Sequence, residues 1–267
     1  MRRALTIAGS DSGGGAGIQA DLKTFAAYGV YGASALTAIT VQNTVAVSAV
    51  QVLPAALVRA QIEAVLSDIG ADAVKTGMLG AAEVVLAVVD ALAAHRPPWV
   101  VVDPVMIAKS GNTLLEPDAV AAVRERLLPC AHLVTPNAPE AAALSGHEVH
   151  SLATAREAAL RLHALGPKAV LVKGGHLPGD DVIDVLYDGH HLHELRGPRI
   201  PGVHTHGTGC TLASAIAAGL ALGAGLEAAV IDALAYVAGA IAHAPRLGRG
   251  HGPLDHGWRT RTGAPAS

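Results

Sequence analysis

The chain has 267 residues, 51 % of them hydrophobic, a net charge of −3 and no run of lysine or arginine. That length suffices for one large domain with a full core, and the charge offers no basic field to nucleic acid. Two cysteines, Cys130 and Cys210, make no disulfide framework and fit a reducing cytoplasm.

No membrane association is expected. Met1-Arg2-Arg3 precedes an apolar stretch too short for a secretory signal and ended by Asp11. The charge-free segment Gly207–Leu226 opens in a polar turn and contains Gly219 and Gly223, so it reads as buried helix and turn. Residues 1–267 read as a single domain, with about 257–267 as a disordered tail.

Apolar runs and helical periodicity alternate along the chain. Ala4–Ala8 reads as a buried strand, followed by a glycine-rich loop and a helix over Gln19–Tyr28. Ser34–Val41 is a strand, and Pro54–Ser67 an amphipathic helix with proline near its first turn. Strand Ala73–Thr76 precedes helix Ala81–Ala94. Strand Val100–Asp103 precedes helix Asp118–Leu127. Strand His132–Thr135 leads to helices around Glu140–Leu144 and over Thr154–Leu165. Strand Ala169–Lys173 comes next. Val182–Tyr187 and His191–Leu195 flank Asp188-Gly189, a hairpin signal. Two helices close the series, about Gly209–Leu222 and Glu227–Ala244. The alternation predicts an α/β fold with a mainly parallel sheet covered on both faces.

Ligands of such sheets bind beyond the carboxyl ends of the strands. The polar and glycine-rich clusters fall there: Gly9-Ser10-Asp11, Gln42-Asn43, Lys75-Thr76-Gly77-Met78, Asp103-Pro104-Val105-Met106, Thr135-Pro136-Asn137 and Lys173-Gly174-Gly175-His176. The strongest motif is His206-Gly207-Thr208-Gly209-Cys210-Thr211 ahead of a long apolar helix. A Gly-Thr-Gly turn at a helix start points backbone N–H groups and the positive dipole end at an anion, above all a phosphate. The same field would favour a Cys210 thiolate; the plainer reading is a small buried cysteine.

Other residues leave alternatives open. Gly13–Gly17 lacks the spacing of a Walker or dinucleotide loop and reads equally as a flexible turn. Asp103 suits a loop cap or Mg²⁺. Asn137 and Glu140 suit a helix cap or a pair of oxygen ligands. Lysine occurs at only five positions, which makes Lys173 at a strand end suggestive for phosphate. His190, His191 and His193 crowd the hairpin, and His204 and His206 bracket Thr205. With no carboxylate or cysteine at metal-site spacing, these histidines are expected to hold no transition metal, and the hairpin set to face solvent.

Taken in order, these motifs resemble one family. Ala8-Gly9-Ser10-Asp11-Ser12-Gly13-Gly14-Gly15-Ala16-Gly17-Ile18-Gln19-Ala20-Asp21-Leu22-Lys23 is similar to the N-terminal signature of bacterial hydroxymethylpyrimidine/phosphomethylpyrimidine kinases of thiamine biosynthesis. Val41-Gln42-Asn43-Thr44, Lys75–Leu79, Asp103–Met106, Thr135–Ala141, Lys173–His176 and His206–Thr211 continue the pattern, which ends at Gly250–Leu254. One departure is Ser12-Gly13-Gly14-Gly15, where relatives often carry Pro-Ser-Gly-Gly.

The resemblance implies a ribokinase-like three-layer α/β/α sandwich that phosphorylates 4-amino-5-hydroxymethyl-2-methylpyrimidine twice, using ATP and Mg²⁺. Gln42 would read the aminopyrimidine edge, Gly9 would touch it through backbone, and Val41, Met78 and Val105 would form apolar walls. ATP would lie near Lys173, Gly174 and Gly175, with Asn137 beside the phosphates and Asp103 and Glu140 acting through Mg²⁺. The N–H groups of Gly207, Thr208, Gly209 and Cys210 would stabilise the moving phosphoryl group, and Cys210 would take the hydroxymethyl proton. The loop Ala108–Thr113 would close over substrate, and the enzyme would be a homodimer. The rival readings are a pyridoxine/pyridoxal kinase of the same superfamily and a non-catalytic pyrimidine-binding protein.

Overall fold

The computed structural model describes residues 1–106, 117–202 and 204–262. The loop Ala108–Thr113, expected to close over substrate, lies outside the described residues.

One sheet of nine strands runs through the described residues, in the order β3-β2-β1-β4-β5-β6-β7-β8-β9. The strands are β1 (Arg3–Asp11), β2 (Tyr31–Gln42), β3 (Val47–Val52), β4 (Ala73–Thr76), β5 (Val100–Val102), β6 (Leu133–Val134), β7 (Val170–Val172), β8 (Asp181–Tyr187) and β9 (Leu192–Pro198). From β2 through β7 every neighbouring pair is parallel, while β3, β8 and β9 join antiparallel at the two edges. The carboxyl ends of β1, β2, β4, β5, β6 and β7 therefore share one rim.

The helices are α1 (Gly17–Ala27), α2 (Ala55–Asp68), α3 (Ala82–His95), α4 (Pro117–Ala122), α5 (Ala138–Ser145), α6 (Leu152–His163), α7 (Thr208–Leu222), α8 (Leu226–Ala242) and α9 (Trp258–Thr262). Alternation along the strands sorts the core into two layers. Leu5, Ile7, Val74, Val100, Val102 and Val134 face α2, α3, α5 and α6, where Ile62, Val88, Ala141 and Leu162 meet them. Ala4, Ala73, Val101, Leu133 and Leu171 face the other way, against Phe25 of α1, Ile216 of α7 and Tyr236 of α8. This is the expected α/β/α sandwich. All of α7 from Thr211 to Ala221 is buried, which explains the charge-free segment without a membrane. No helix among the described residues is long and apolar enough to cross one.

Two features depart from the sequence reading. Strand β3 was not expected, because most of its six residues are exposed and carry no clean alternation. Its cue is turn chemistry: the Asn43 side chain accepts from the Val45 and Ala46 backbone N–H groups at 2.9 and 3.1 Å and folds β3 back onto β2. The expected disordered tail is corrected for residues 258–262, which form α9. There Arg259 is buried, ion-paired with Asp232 at 2.8 Å, and lies over the rings of Tyr28 and Tyr236.

Candidate active site

The start of α7 is built from glycine. Gly207 has φ +83°, the left-handed region, and a Cβ there would collide with the Gly15 carbonyl. The Gly-Thr-Gly turn thus lies directly against the glycine-rich loop before α1. No side chain caps α7; the Thr208 hydroxyl turns back to the Thr205 carbonyl at 2.8 Å. A Cβ on Gly209 would sit 3.2 Å from Lys173 Nζ and 3.6 Å from Asp103 Oδ2, so this backbone spans the charged rim.

That rim is a buried charge cluster. Lys173 Nζ donates to Asp103 Oδ1 at 2.9 Å and lies 3.8 Å from Glu140 Oε2. Burial opposes the Lys173 charge, but Asp103 and Glu140 outweigh it and hold the ammonium above its ordinary value. Burial also pushes Glu140 up, to about 7, with Lys173 opposing and Asp103 reinforcing. Asn137 and Glu140 form a reciprocal capping box on α5: Asn137 Oδ1 accepts from the Glu140 N–H at 2.9 Å, and Glu140 Oε2 from the Asn137 N–H at 2.8 Å.

Asp103 keeps one oxygen unused. Its Oδ2 is buried without a hydrogen-bond partner, as is Thr76 Oγ1, and both residues line one small cavity with Gly77 and Val105. Buried polar atoms are nearly always satisfied, so orphans sharing one cavity beside a second carboxylate suit a hydrated divalent cation. The donor set of Asp103 and Glu140 fits Mg²⁺.

A second buried ion pair lies beneath α7. Lys75 Nζ donates to both oxygens of Asp21, at 3.0 and 2.9 Å, and the hydroxyls of Ser214 and Thr6 donate to the same carboxylate at 2.6 Å each. Lys75 and Asp21 are both fully buried. The expected thiolate at Cys210 is corrected here. Burial pushes the thiol up to about 11; Lys75 pulls it down, while Asp103 and Asp21 push it further up. Desolvation and two carboxylates outweigh Lys75 and the Gly17 backbone N–H.

The other half of the site carries little charge. Gly9 is buried, and a Cβ there would meet the Met78 methyl at 2.6 Å. Gln42 Oε1 accepts from Thr40 Oγ1 at 3.1 Å, and its Nε2 meets His206 Nε2 at 3.2 Å. That histidine nitrogen also lies 2.9 Å from Asp11 Oδ2. Asp11 accepts from the N–H groups of Gly13, Gly15 and Ala16 at 2.8, 3.0 and 2.8 Å, so the glycine-rich loop wraps this carboxylate. Burial opposes its charge, and His206 with the loop amides holds Asp11 below its usual value. Gln42 and His206 border a small, shallow pocket shared with Asn43, Thr44 and His251.

The structure brings Asp103, Glu140, Asn137, Lys173, Gly209 and Cys210 to one place, and Gly9 to Met78. Gln42 instead meets His206. Val105 is half-buried beside Asp103, whereas Val41 stands 59 % exposed at the end of β2. Gly174 gives its N–H to Asp184 Oδ1 at 2.7 Å, and its lack of a side chain admits the Ile183 carbonyl. Gly175 is exposed and accepts from Arg199 at 2.9 Å. Sequence reasoning missed Asp11, Asp21 and His206 as site-builders. Each lay inside a quoted motif, but contacts spanning up to 195 residues joined them.

A parallel-sheet sandwich with a Gly-Thr-Gly-Cys turn over a buried Lys–Asp pair defines a ribokinase-like small-molecule kinase. The chain belongs to the phosphomethylpyrimidine kinase family, whose model matches residues 11–255. It is 54 % identical over 254 residues to the hydroxymethylpyrimidine/phosphomethylpyrimidine kinase of Streptomyces coelicolor, covering 95 % of this chain and 94 % of that one. It is also 54 % identical to the thiamine biosynthesis bifunctional protein ThiED of Geobacter sulfurreducens, covering 94 % of this chain and 51 % of that longer protein. Among solved structures, an ADP complex of Bacillus subtilis pyridoxal kinase superposes with TM-score 0.91 at 40 % identity, over 97 % of this chain and 99 % of that one. The family resemblance read from the motifs, and the kinase class it implied, are borne out.

Proposed function

We propose that this chain transfers a phosphoryl group from ATP to the hydroxymethyl oxygen of 4-amino-5-hydroxymethyl-2-methylpyrimidine, and a second to the resulting monophosphate. The observation that carries this reading is the convergence, at the uncapped start of α7, of Lys173, the unpartnered Asp103 Oδ2 and Cys210. A binder without turnover needs no such phosphate half.

Phosphoryl transfer asks the protein for positioning and charge neutralisation more than for covalent help. The N–H groups of Gly207, Thr208, Gly209 and Cys210 receive the moving phosphoryl oxygens. Lys173, beside Asn137, Gly174 and Gly175, meets the ATP phosphates. Asp103 and Glu140 would hold Mg²⁺, which when bound neutralises phosphate charge. Gln42 reads the aminopyrimidine edge through its paired donor and acceptor, Gly9 offers backbone, and Val41, Met78 and Val105 enclose the ring. Cys210 takes the hydroxymethyl proton in the first transfer only, because the second acceptor is already an ionised phosphate. The thiol's high value means that only a small ionised fraction serves at neutral pH. The proposal includes a cytoplasmic homodimer, with free Cys210 kept reduced.

The test incubates the protein with Mg·ATP and the pyrimidine, with pyridoxal in a parallel tube, and follows products by mass spectrometry. Successive mono- and diphosphates of the pyrimidine are expected. Pyridoxal 5′-phosphate alone would move the assignment to the second reading, which the pyridoxal kinase likeness favours. Binding without turnover would overturn both.

A further inference from the structure

The turn between β8 and β9, Asp188-Gly189-His190-His191, is built around one carboxylate. Asp188 Oδ1 accepts from the backbone N–H groups of His190 and His191 at 2.8 and 2.7 Å, which fixes the carboxylate and aims Oδ2 across the hairpin. There Oδ2 meets His193 Nε2 at 3.1 Å and His191 Nδ1 at 3.8 Å. The three ligand atoms all lie within 4.8 Å of one another. The expectation that no carboxylate accompanies these histidines is overturned: Asp188 does.

His193 sits between two carboxylates. Its Nδ1 is 3.2 Å from Glu227 Oε1, in the first turn of α8, while Nε2 faces Asp188. With Nδ1–H given to Glu227, the Nε2 lone pair of the neutral ring faces an Asp188 oxygen, and a proton or a metal ion placed there relieves the repulsion. A carboxylate that orients a histidine through its far nitrogen is the usual support of a metal-bound imidazole. Two imidazoles and one carboxylate suit a borderline divalent ion such as Zn²⁺ or Co²⁺ rather than Mg²⁺ or Ca²⁺. Ligand atoms of a tetrahedral ion with bonds of about 2.0–2.1 Å lie roughly 3.3 Å apart, close to the first of these spacings. His191, with its side chain 79 % exposed, is free to close the second.

The turn is remote from the catalytic rim. β8 runs antiparallel to β7, with Tyr187 paired to Val170 and Val185 to Val172. Asp188 therefore emerges at the amino end of β7, on the opposite side of the sheet from Lys173. We propose that Asp188, His191 and His193 form a transition-metal site, oriented by Glu227, that ties the edge hairpin to α8.

The test titrates chelator-treated full-length protein with Zn²⁺ alone and with Co²⁺ alone, by calorimetry and visible absorption respectively. One equivalent is expected to bind at this site, with Co²⁺ bands of a nitrogen–oxygen set. His193→Ala and His191→Ala should each weaken binding at least tenfold, and Glu227→Gln by about tenfold. Turnover with Mg·ATP should be unchanged in all three, which also reports folding; if His193→Ala misfolds, the exposed His191→Ala carries the test. Absence of binding at micromolar metal, or binding that survives both histidine substitutions, would overturn the proposal.

Discussion

Two lysines at the carboxyl ends of parallel strands on one rim, Lys75 on β4 and Lys173 after β7, do opposite jobs. Lys75 meets an Asp21 carboxylate whose oxygens are both engaged, by the ammonium and by Thr6 and Ser214. Lys173 meets an Asp103 carboxylate that keeps Oδ2 unused, with Glu140 a further 3.8 Å from the ammonium. A saturated buried pair has nothing left to offer a ligand; an unsaturated one holds capacity in reserve for a cation or phosphate. Saturation, more than burial or charge, separates the pair that shapes the site from the pair that works in it.

Removing each lysine in turn separates the two roles most directly. Lys75→Met leaves Asp21 as an uncompensated buried charge and should cost about 3–5 kcal/mol of stability, read by urea unfolding. Lys173→Met also unpairs a buried carboxylate, but Lys173 is 14 % exposed and Glu140, already raised to about 7, can take up a proton beside Asp103, so it should cost less stability than Lys75→Met and fall mainly on turnover. If both variants lose the same stability, the distinction fails. Asp103→Asn, at the working pair, should lower kcat by about 10²–10³-fold while the protein stays folded by circular dichroism. Next comes Cys210→Ala, expected to slow the first transfer by about 10²-fold and the second little. With the thiol near 11, the wild-type first-transfer rate should climb with pH toward that value, and the variant should lose the climb. Equal loss in both transfers would sink the base assignment.

The sandwich was legible because buried runs such as Val100–Val102 and helices with polar flanks alternate strongly enough to set the layers. The rim was legible because its polar motifs end the parallel strands, and the Gly207 turn opens α7. The roles within it were less so. Nothing local separates Lys75 from Lys173: both follow apolar strand residues, and their difference lies in Thr6, Asp21 and Ser214, brought together across the chain. The Cys210 expectation failed because a helix start is a local feature, whereas its desolvation and the Asp103 and Asp21 charges, from the end of β5 and from α1, are set by the packed fold. β3 escaped because an edge strand with exposed side chains has no apolar period to read.

Glu140 offers a smaller effect with a definite sign. Burial raises it from 4.5 to about 7, so the ligand-free protein gains stability from this group below about pH 4.5 and loses it as pH rises through 7. A bound cation needs the carboxylate, so Mg·AMP-PCP affinity should run the opposite way, falling up to about tenfold per unit below pH 7. Calorimetry across pH 5–8 checks this, and Glu140→Gln should flatten the profile. An unchanged slope in that variant would remove Glu140 from the cation site.

The smallest effect expected concerns the half around Gln42. His206 Nε2 lies between Asp11 Oδ2 and Gln42 Nε2, and one nitrogen cannot both donate to the carboxylate and accept from the amide. Whichever proton arrangement holds, His206 biases which end of the Gln42 amide faces the pyrimidine. Without the ring, the Gln42 side chain keeps only its Thr40 contact and must be ordered by substrate. His206→Ala should therefore raise KM for the pyrimidine by about 2–10-fold, the worth of one net hydrogen bond, and leave KM for ATP unchanged. A matching rise for ATP would mean that the histidine supports the Gly207 turn instead, joining the two halves that the lysine pairs keep apart.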